Sequence, residues 1–522
     1  MTVNSAEVQQ QRLLIGPTKS HATTIPAGAE EPVVMNPARH RLRRERNFNC
    51  LIPHNLRGLV QIAIEIYREV PRTVERGPLI SNQLRSGITA SGDSIGHHAW
   101  WASKYYSKSL EGRTAGTVFA NQLLIMRLSP NLPYPHGQSS MPDLICLSHL
   151  RWNFVFQRPQ HLMVRYARQR RVFFVEEPIF DDVTEPRVSV ELLDDVNVVV
   201  PHLPRHYTPE QSVRAQRATL DRLIASHAIN GFVLWYYTPL ALKFAGHLQP
   251  LATVYDCMDQ LSAFKNAPTE IAAMERTLLQ RANVVFTGGQ SLYEEKRRQH
   301  ANINAMPSSV DVPHFAAARQ IVEEPADQRD IARPRLGFFG VLDERLDIEL
   351  LAGVAAARPD WQLMMIGPVV KIDPADLPRH SNIHYLGPKT YDELPHYIAG
   401  WDVALVLFAR NEATRFISPT KTPEYLAAGK PVVSTSIRDV VSPYGDRNLL
   451  RIADSVPNFV RACEGALSEP PEPRQVRADV YLRGLSWDRT WAKTAALLEA
   501  VMTTTASVSV GGAAAPSVSL GA

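Results

Sequence analysis

The 522-residue chain is poor in cysteine: Cys50, Cys146, Cys257 and Cys463 are scattered, with no CxxC pair. That spacing argues against a zinc site and a disulfide framework, and it fits a reducing compartment. No uninterrupted apolar run approaches the roughly 18 to 20 residues that a membrane-spanning helix needs. The N-terminus lacks a basic start followed by an apolar stretch, so no secretory signal is expected. Net charge is also small, at +4. The balance hides an asymmetry, because residues 1–140 carry sixteen Lys/Arg against nine Asp/Glu. Attraction to anionic surfaces therefore falls on that segment. Its basic residues are dispersed and no nucleic-acid-binding signature accompanies them, so nucleic acid is not an expected partner.

What is present is ordinary for a globular protein, with 45% apolar and 21% charged residues and length for two or three domains. Residues 1–140 have few strand runs and irregular spacing, and read as a poorly ordered basic extension. Within them, residues 56–67 have the pattern of an amphipathic helix that lies on a membrane or a partner.

From Met141 the texture changes. Short apolar runs recur at 144–147, 172–175, 196–200, 232–236, 252–255 and 284–287. Stretches with helical periodicity separate several of them, at 159–169, 212–227 and 269–282. The segment 313–334 is polar and reads as a linker. The pattern then resumes, with strands at 336–339, 362–366, 383–386, 403–407 and 432–434 and helices near 346–357, 391–399, 423–428 and 456–467. Strands alternating with helices predict an α/β fold of two Rossmann-like domains with parallel sheets, at 141–325 and 333–485. A helix over 486–502 is expected to pack back towards the first domain, and the Thr/Ser/Ala/Gly tail 503–522 to be disordered. Two such domains face each other across a cleft at the carboxyl ends of their strands, where ligands of open α/β sheets bind.

The run from Phe416 to Ser434 predicts a loop, a short helix and a buried strand. Thr422 is the expected N-cap, with Pro423 at the first helical position and Glu424 in the first turn. Gly429 supplies the left-handed residue that ends the helix. Free backbone N–H groups beside Lys421 suit a diphosphate. Glu424, a carboxylate, suits ribose hydroxyls instead. Together they point to a nucleotide-sugar site.

Several segments in order resemble the two-domain GT-B glycosyltransferases, in the group similar to glycogen synthase and the family 4 (group 1) transferases of bacterial cell-surface polysaccharide pathways. They are Cys146–Leu162, Tyr255–Asp259, Phe286–Ser291, Pro307–Phe315, Gly337–Gly340 and Ser418–Gly429, within roughly 141–502. The resemblance implies a hexosyltransferase-like enzyme that moves a sugar from a UDP- or GDP-linked donor to a glycan or lipid-linked acceptor. It implies no metal and no other cofactor, and a cytoplasmic setting at the inner membrane surface with peripheral membrane contact. A non-catalytic sugar-nucleotide-binding subunit, and an epimerase or phosphorylase on the same scaffold, stay open as alternatives.

On that reading the departing diphosphate accumulates negative charge, which cations and N–H dipoles must meet. Gly340, Arg345, Ser418, Thr420, Lys421 and Glu424 are the expected donor-binding residues. His149, a candidate catalytic residue, follows the first strand, with Arg151 and Arg158 as the expected acceptor-binding residues. Asp256 and Asp259 end another strand and are candidate bases for the acceptor hydroxyl. The resembled group often has a sugar-binding glutamate eight positions before the Glu424 counterpart; Phe416 stands there in this chain.

Overall fold

A computed structural model describes residues 141–511, with side chains described to residue 503. The extension 1–140, its candidate helix at 56–67, and the residues after 511 lie outside the described part.

The apolar runs become strands because β-branched and aromatic residues suit a sheet covered on both faces. β1 (Asp143–Leu147) is buried at all five positions. Its side chains alternate, Leu144 and Cys146 entering one core and Ile145 and Leu147 the other. It runs parallel to β2 (Val172–Val175) and β6 (Phe232–Tyr236). With β3 (Ile179–Asp181), β4 (Arg187–Leu193), β5 (Val196–Pro204), β7 (Ala252–Cys257), β8 (Val284–Thr287) and β9 (Ile303–Ala305) they form a nine-stranded sheet. Its order is β3-β5-β2-β1-β6-β7-β8-β9, and only β4 is antiparallel, pairing β5 at the edge.

The second sheet has six strands in the order β12-β11-β10-β13-β14-β15. These are β10 (Arg335–Phe339), β11 (Gln362–Ile366), β12 (Ile383–Gly387), β13 (Val403–Val406), β14 (Val432–Ser434) and β15 (Arg451–Ile452). All pair in parallel, and Phe338 and Phe339 of β10 enter opposite cores. In each sheet the chain order reverses beside the first strand, β1 or β10. That switch point leaves a crevice beyond the strands' carboxyl ends.

Two expectations change. The segment read as a polar linker is folded: Val312–Ala316 is helical, and Phe315 and Ala318 enter the second lobe's core. Gln328 is fully buried there; its Nε2 donates to the Tyr397 carbonyl at 2.9 Å and its Oε1 accepts from Trp401 Nε1 at 3.0 Å. Its polarity served internal hydrogen bonds rather than water. The last helix runs Trp487–Gly511, past the Met502 end that its periodicity suggests. Trp487, Ala495 and Leu498 of this helix join the first lobe's core.

Candidate active site between the lobes

The helix after the Phe416 loop starts earlier than expected, at Lys421, and ends at Ala427. Thr420 is its N-cap and Pro423 its third residue, so Thr422 does not cap. The first four N–H groups of a helix have no intrahelical acceptor, so the proline costs no bond there. Gly429 adopts φ +77° and closes the helix as expected, with its N–H to Leu426 O and Lys430 N–H to Tyr425 O. Glu424 therefore sits one turn into the helix, four residues from its cap.

This early start carries Lys421 over the end of β10. Gly340 follows that strand with φ +135°, and a Cβ on it would overlap Lys421 Cε and Nζ. The Lys421 ammonium lies 5.4 Å from the ring centroids of Phe338 and Phe408. It keeps part of its surface open, yet burial lowers its pKa, the Arg345 charge adds to this, and Glu424 opposes it. Glu424 is 6% exposed and its Oε2 has no partner among the described residues. Burial raises its carboxyl and the Lys421 charge opposes. Arg345 is clamped by Asp343, Nε to Oδ1 at 3.0 Å and Nη2 to Oδ2 at 2.7 Å. The fork keeps Arg345 beside Lys421 while half neutralised. Five of the six expected donor residues (Gly340, Arg345, Thr420, Lys421 and Glu424) thus gather at one corner.

The first lobe divides its candidates sharply. Asp256 and Arg158 pair with each other, Nε to Oδ1 at 3.1 Å and Nη2 to Oδ1 at 2.9 Å, with 0% of either residue exposed. Arg158 Nη1 also donates to the Met306 carbonyl at 2.6 Å. This corrects both roles: Asp256 cannot take a proton from an acceptor, and Arg158 cannot touch one. An ion pair sealed in a core holds structure together, because either charge alone would be left desolvated. Arg151 is half-buried and tied to Glu176 Oε2 at 2.9 Å and to the Pro178 carbonyl. It braces the loop after β2.

Asp259 and His149 face the other lobe. Burial raises the Asp259 carboxyl, and Arg345 across the cleft opposes. Burial lowers His149 to about 4, helped by the Lys371 charge, so the imidazole is neutral at pH 7. Its Nδ1 has no partner among the described residues.

Other contacts between the lobes escaped the sequence reading. Ser418 and Asp439 press on Gly289 after β8, where a Cβ would overlap both. Phe416 packs against the first lobe's core cluster that holds Tyr255 and Leu292. Arg345 Cζ and Lys371 Nζ lie 5.5 Å and 5.3 Å from the Phe264 ring of the first lobe. Both Glu344 carboxylate oxygens are buried without a partner among the described residues. Lys371 and Glu344 sit in loops with no motif; only their place just after β11 and β10 marked them.

No family model matches the chain. A putative teichuronic acid biosynthesis glycosyltransferase of Bacillus subtilis, TuaH, is 27% identical over 281 residues, 48% of this chain and 67% of that protein. Among solved structures, sucrose-phosphate synthase from Thermosynechococcus elongatus superposes with a TM-score of 0.55 at 13% identity, over 70% of this chain and all of that one. Anabaena HepE in complex with UDP superposes at 0.50 and 12% identity, over 69% of this chain and 100% of that one. The two-lobed fold and the sequence likeness converge: the chain has the GT-B fold and resembles glycosyltransferases of bacterial cell-surface polysaccharide pathways.

Proposed function

We propose that this enzyme transfers a sugar from a nucleoside-diphosphate sugar to a glycan or lipid-linked acceptor, without a metal ion or other cofactor. The observation that carries this reading is Lys421 lying against Gly340 at the carboxyl end of β10, with Arg345 and Glu424 beside it. Lys421, Arg345 and the amides near Ser418 and Thr420 meet the charge that grows on the departing diphosphate, the task a metal performs elsewhere. Glu424, with one oxygen unpartnered, accepts from ribose hydroxyls. The anomeric C–O bond breaks with its electron pair going to the phosphate oxygen. The acceptor hydroxyl oxygen bonds the anomeric carbon. Its proton goes to Asp259 if the centre inverts, and to the departing phosphate if the centre is retained. A carboxyl whose pKa burial raises is a stronger base than an exposed one. A lipid-linked acceptor would be met at the inner membrane face, which cytosolic nucleotide sugars reach.

Calorimetry of the purified chain with UDP-, GDP- and dTDP-sugars, followed by an assay of slow donor hydrolysis, tests this. Saturable binding of one nucleotide, weakened by Lys421→Ala, is the expected result; no binding of any overturns the reading. Phe416, packed on the first lobe where the resembled group has a glutamate, favours one second reading, a non-catalytic nucleotide-sugar-binding subunit. Binding with neither hydrolysis nor transfer selects it.

A further inference from the structure

Lys371 stands outside the machinery described so far. It follows β11 in the loop Gly367–Lys371, which is pinned beside the loop after β10. Leu342 N–H donates to Pro368 O at 2.9 Å, and Val370 N–H to Leu342 O at 3.0 Å. Leu342 and Val369 form a parallel bridge. Lys371 itself holds φ +63°, a left-handed conformation that costs a non-glycine residue energy unless its surroundings enforce it. The pinned loop therefore aims one side chain, and it aims it across the cleft.

There the ammonium lies 5.3 Å from the Phe264 ring of the first lobe, the ring that Arg345 also approaches. The first-lobe groups within its field are neutral His149, Glu177 and Asp259. Each sits in a loop after β1, β2 or β7. Its companions are compensated: Arg345 by the Asp343 fork, and Lys421 by Glu424. Neither lysine has an ion pair or hydrogen bond among the described residues, but Lys371 alone of the three is exposed and has no carboxylate of its own lobe beside it to offset its charge. Among the described residues the Glu177 side chain has neither ion pair nor hydrogen bond; desolvation raises its carboxyl, and the Arg151 and Lys371 charges oppose. A cation carried on a pinned loop at a cleft wall, opposite a neutral imidazole whose Nδ1 has no partner among the described residues, is complementary to an anionic oxygen group.

We propose that Lys371 is a specificity-determining residue that receives an anionic group, carboxylate or phosphate, on the acceptor sugar, so that this transferase prefers acidic acceptors. The inference rests on the reading above, with the diphosphate at Lys421 and the acceptor against the first lobe.

The test uses the full chain saturated with whichever of UDP or GDP binds, titrated calorimetrically with glucose, glucose 6-phosphate and glucuronate. At least one anionic sugar is expected to bind about tenfold tighter than glucose, the worth of one charge-assisted hydrogen bond. The tighter of the two distinguishes phosphate from carboxylate. Lys371→Met should abolish the preference while leaving nucleotide and glucose affinity unchanged, and Lys371→Arg should keep it. Equal affinity for neutral and anionic sugars, or no saturable binding of either anion, overturns the inference while nucleotide binding still stands. Loss of nucleotide affinity in Lys371→Met also overturns it, by making Lys371 a donor-phosphate cation. Failure of every nucleotide to bind removes the reading beneath it.

Discussion

Asp439 of the second lobe accepts a hydrogen bond at 2.9 Å from the backbone N–H of Ser291 in the first, 148 residues away in sequence. The carboxylate is 5% exposed; burial raises its pKa and the Ser291 N–H opposes. Gly289 makes the approach feasible, because any side chain there would overlap Asp439 Oδ2 and Ser418 Cβ. Arg438 adds an ion pair to Glu294 next to it. Ser418, expected as a donor residue, therefore also stands at the seam where the lobes meet.

Gly289→Ala should force the seam apart. The overlap costs about 1–3 kcal/mol, as for other overpacked sites. A lowered urea midpoint together with a larger radius of gyration by small-angle scattering is the expected outcome. An unchanged radius with full stability would mean the lobes are not held at this seam.

Breaking the Arg158–Asp256 pair should destabilise the first lobe without a direct effect on chemistry. Asp256→Asn or Arg158→Met leaves one buried charge uncompensated, at a cost of about 3–5 kcal/mol. Urea unfolding measures it. A variant that keeps its stability but loses turnover would restore Asp256 as a base.

Glu424→Ala should weaken nucleoside-diphosphate binding by about 1.5–3 kcal/mol, the usual worth of a hydrogen bond to a charged group. Calorimetry with the tightest nucleotide decides it, and unchanged affinity would remove Glu424 from the ribose.

His149 sets a pH dependence. Burial lowers its folded value to about 4, below the ordinary 6.5 that the unfolded chain shows. As pH falls from 6.5 towards 4 the unfolded state takes up the proton first, so stability is lost through that window and is untouched above it. His149→Asn, neutral at every pH, should flatten this part of the curve of melting temperature against pH. Parallel curves for both proteins would show that the imidazole is not held neutral.

Much of the fold was legible because parallel strands buried on both faces are continuous apolar runs. β2, β6, β8, β11 and β14 lie at the bounds their runs suggest. β4 escaped because at the sheet edge most of its residues face water, and Arg187, Ser189 and Glu191 interrupt its valines and leucines so that no continuous apolar run appears. The donor corner was partly legible. Gly429 and Lys421 announce a loop and a helix, but a proline in the first turn fits at several positions. Local pattern therefore placed the N-cap at Thr422 rather than Thr420.

The chain's periodicity and glycine signals alone determined two successive βα arrays and a ligand edge on each, since those signals depend on neighbours a few residues apart. Which polar residues reach that edge was decided only in three dimensions. Arg158 and Asp256 lie 98 residues apart and cancel each other in the core, while Lys371, in an unremarkable loop, meets Phe264 across the cleft. Charge compensation and desolvation are set by what surrounds a group in space, and no local spacing encodes that.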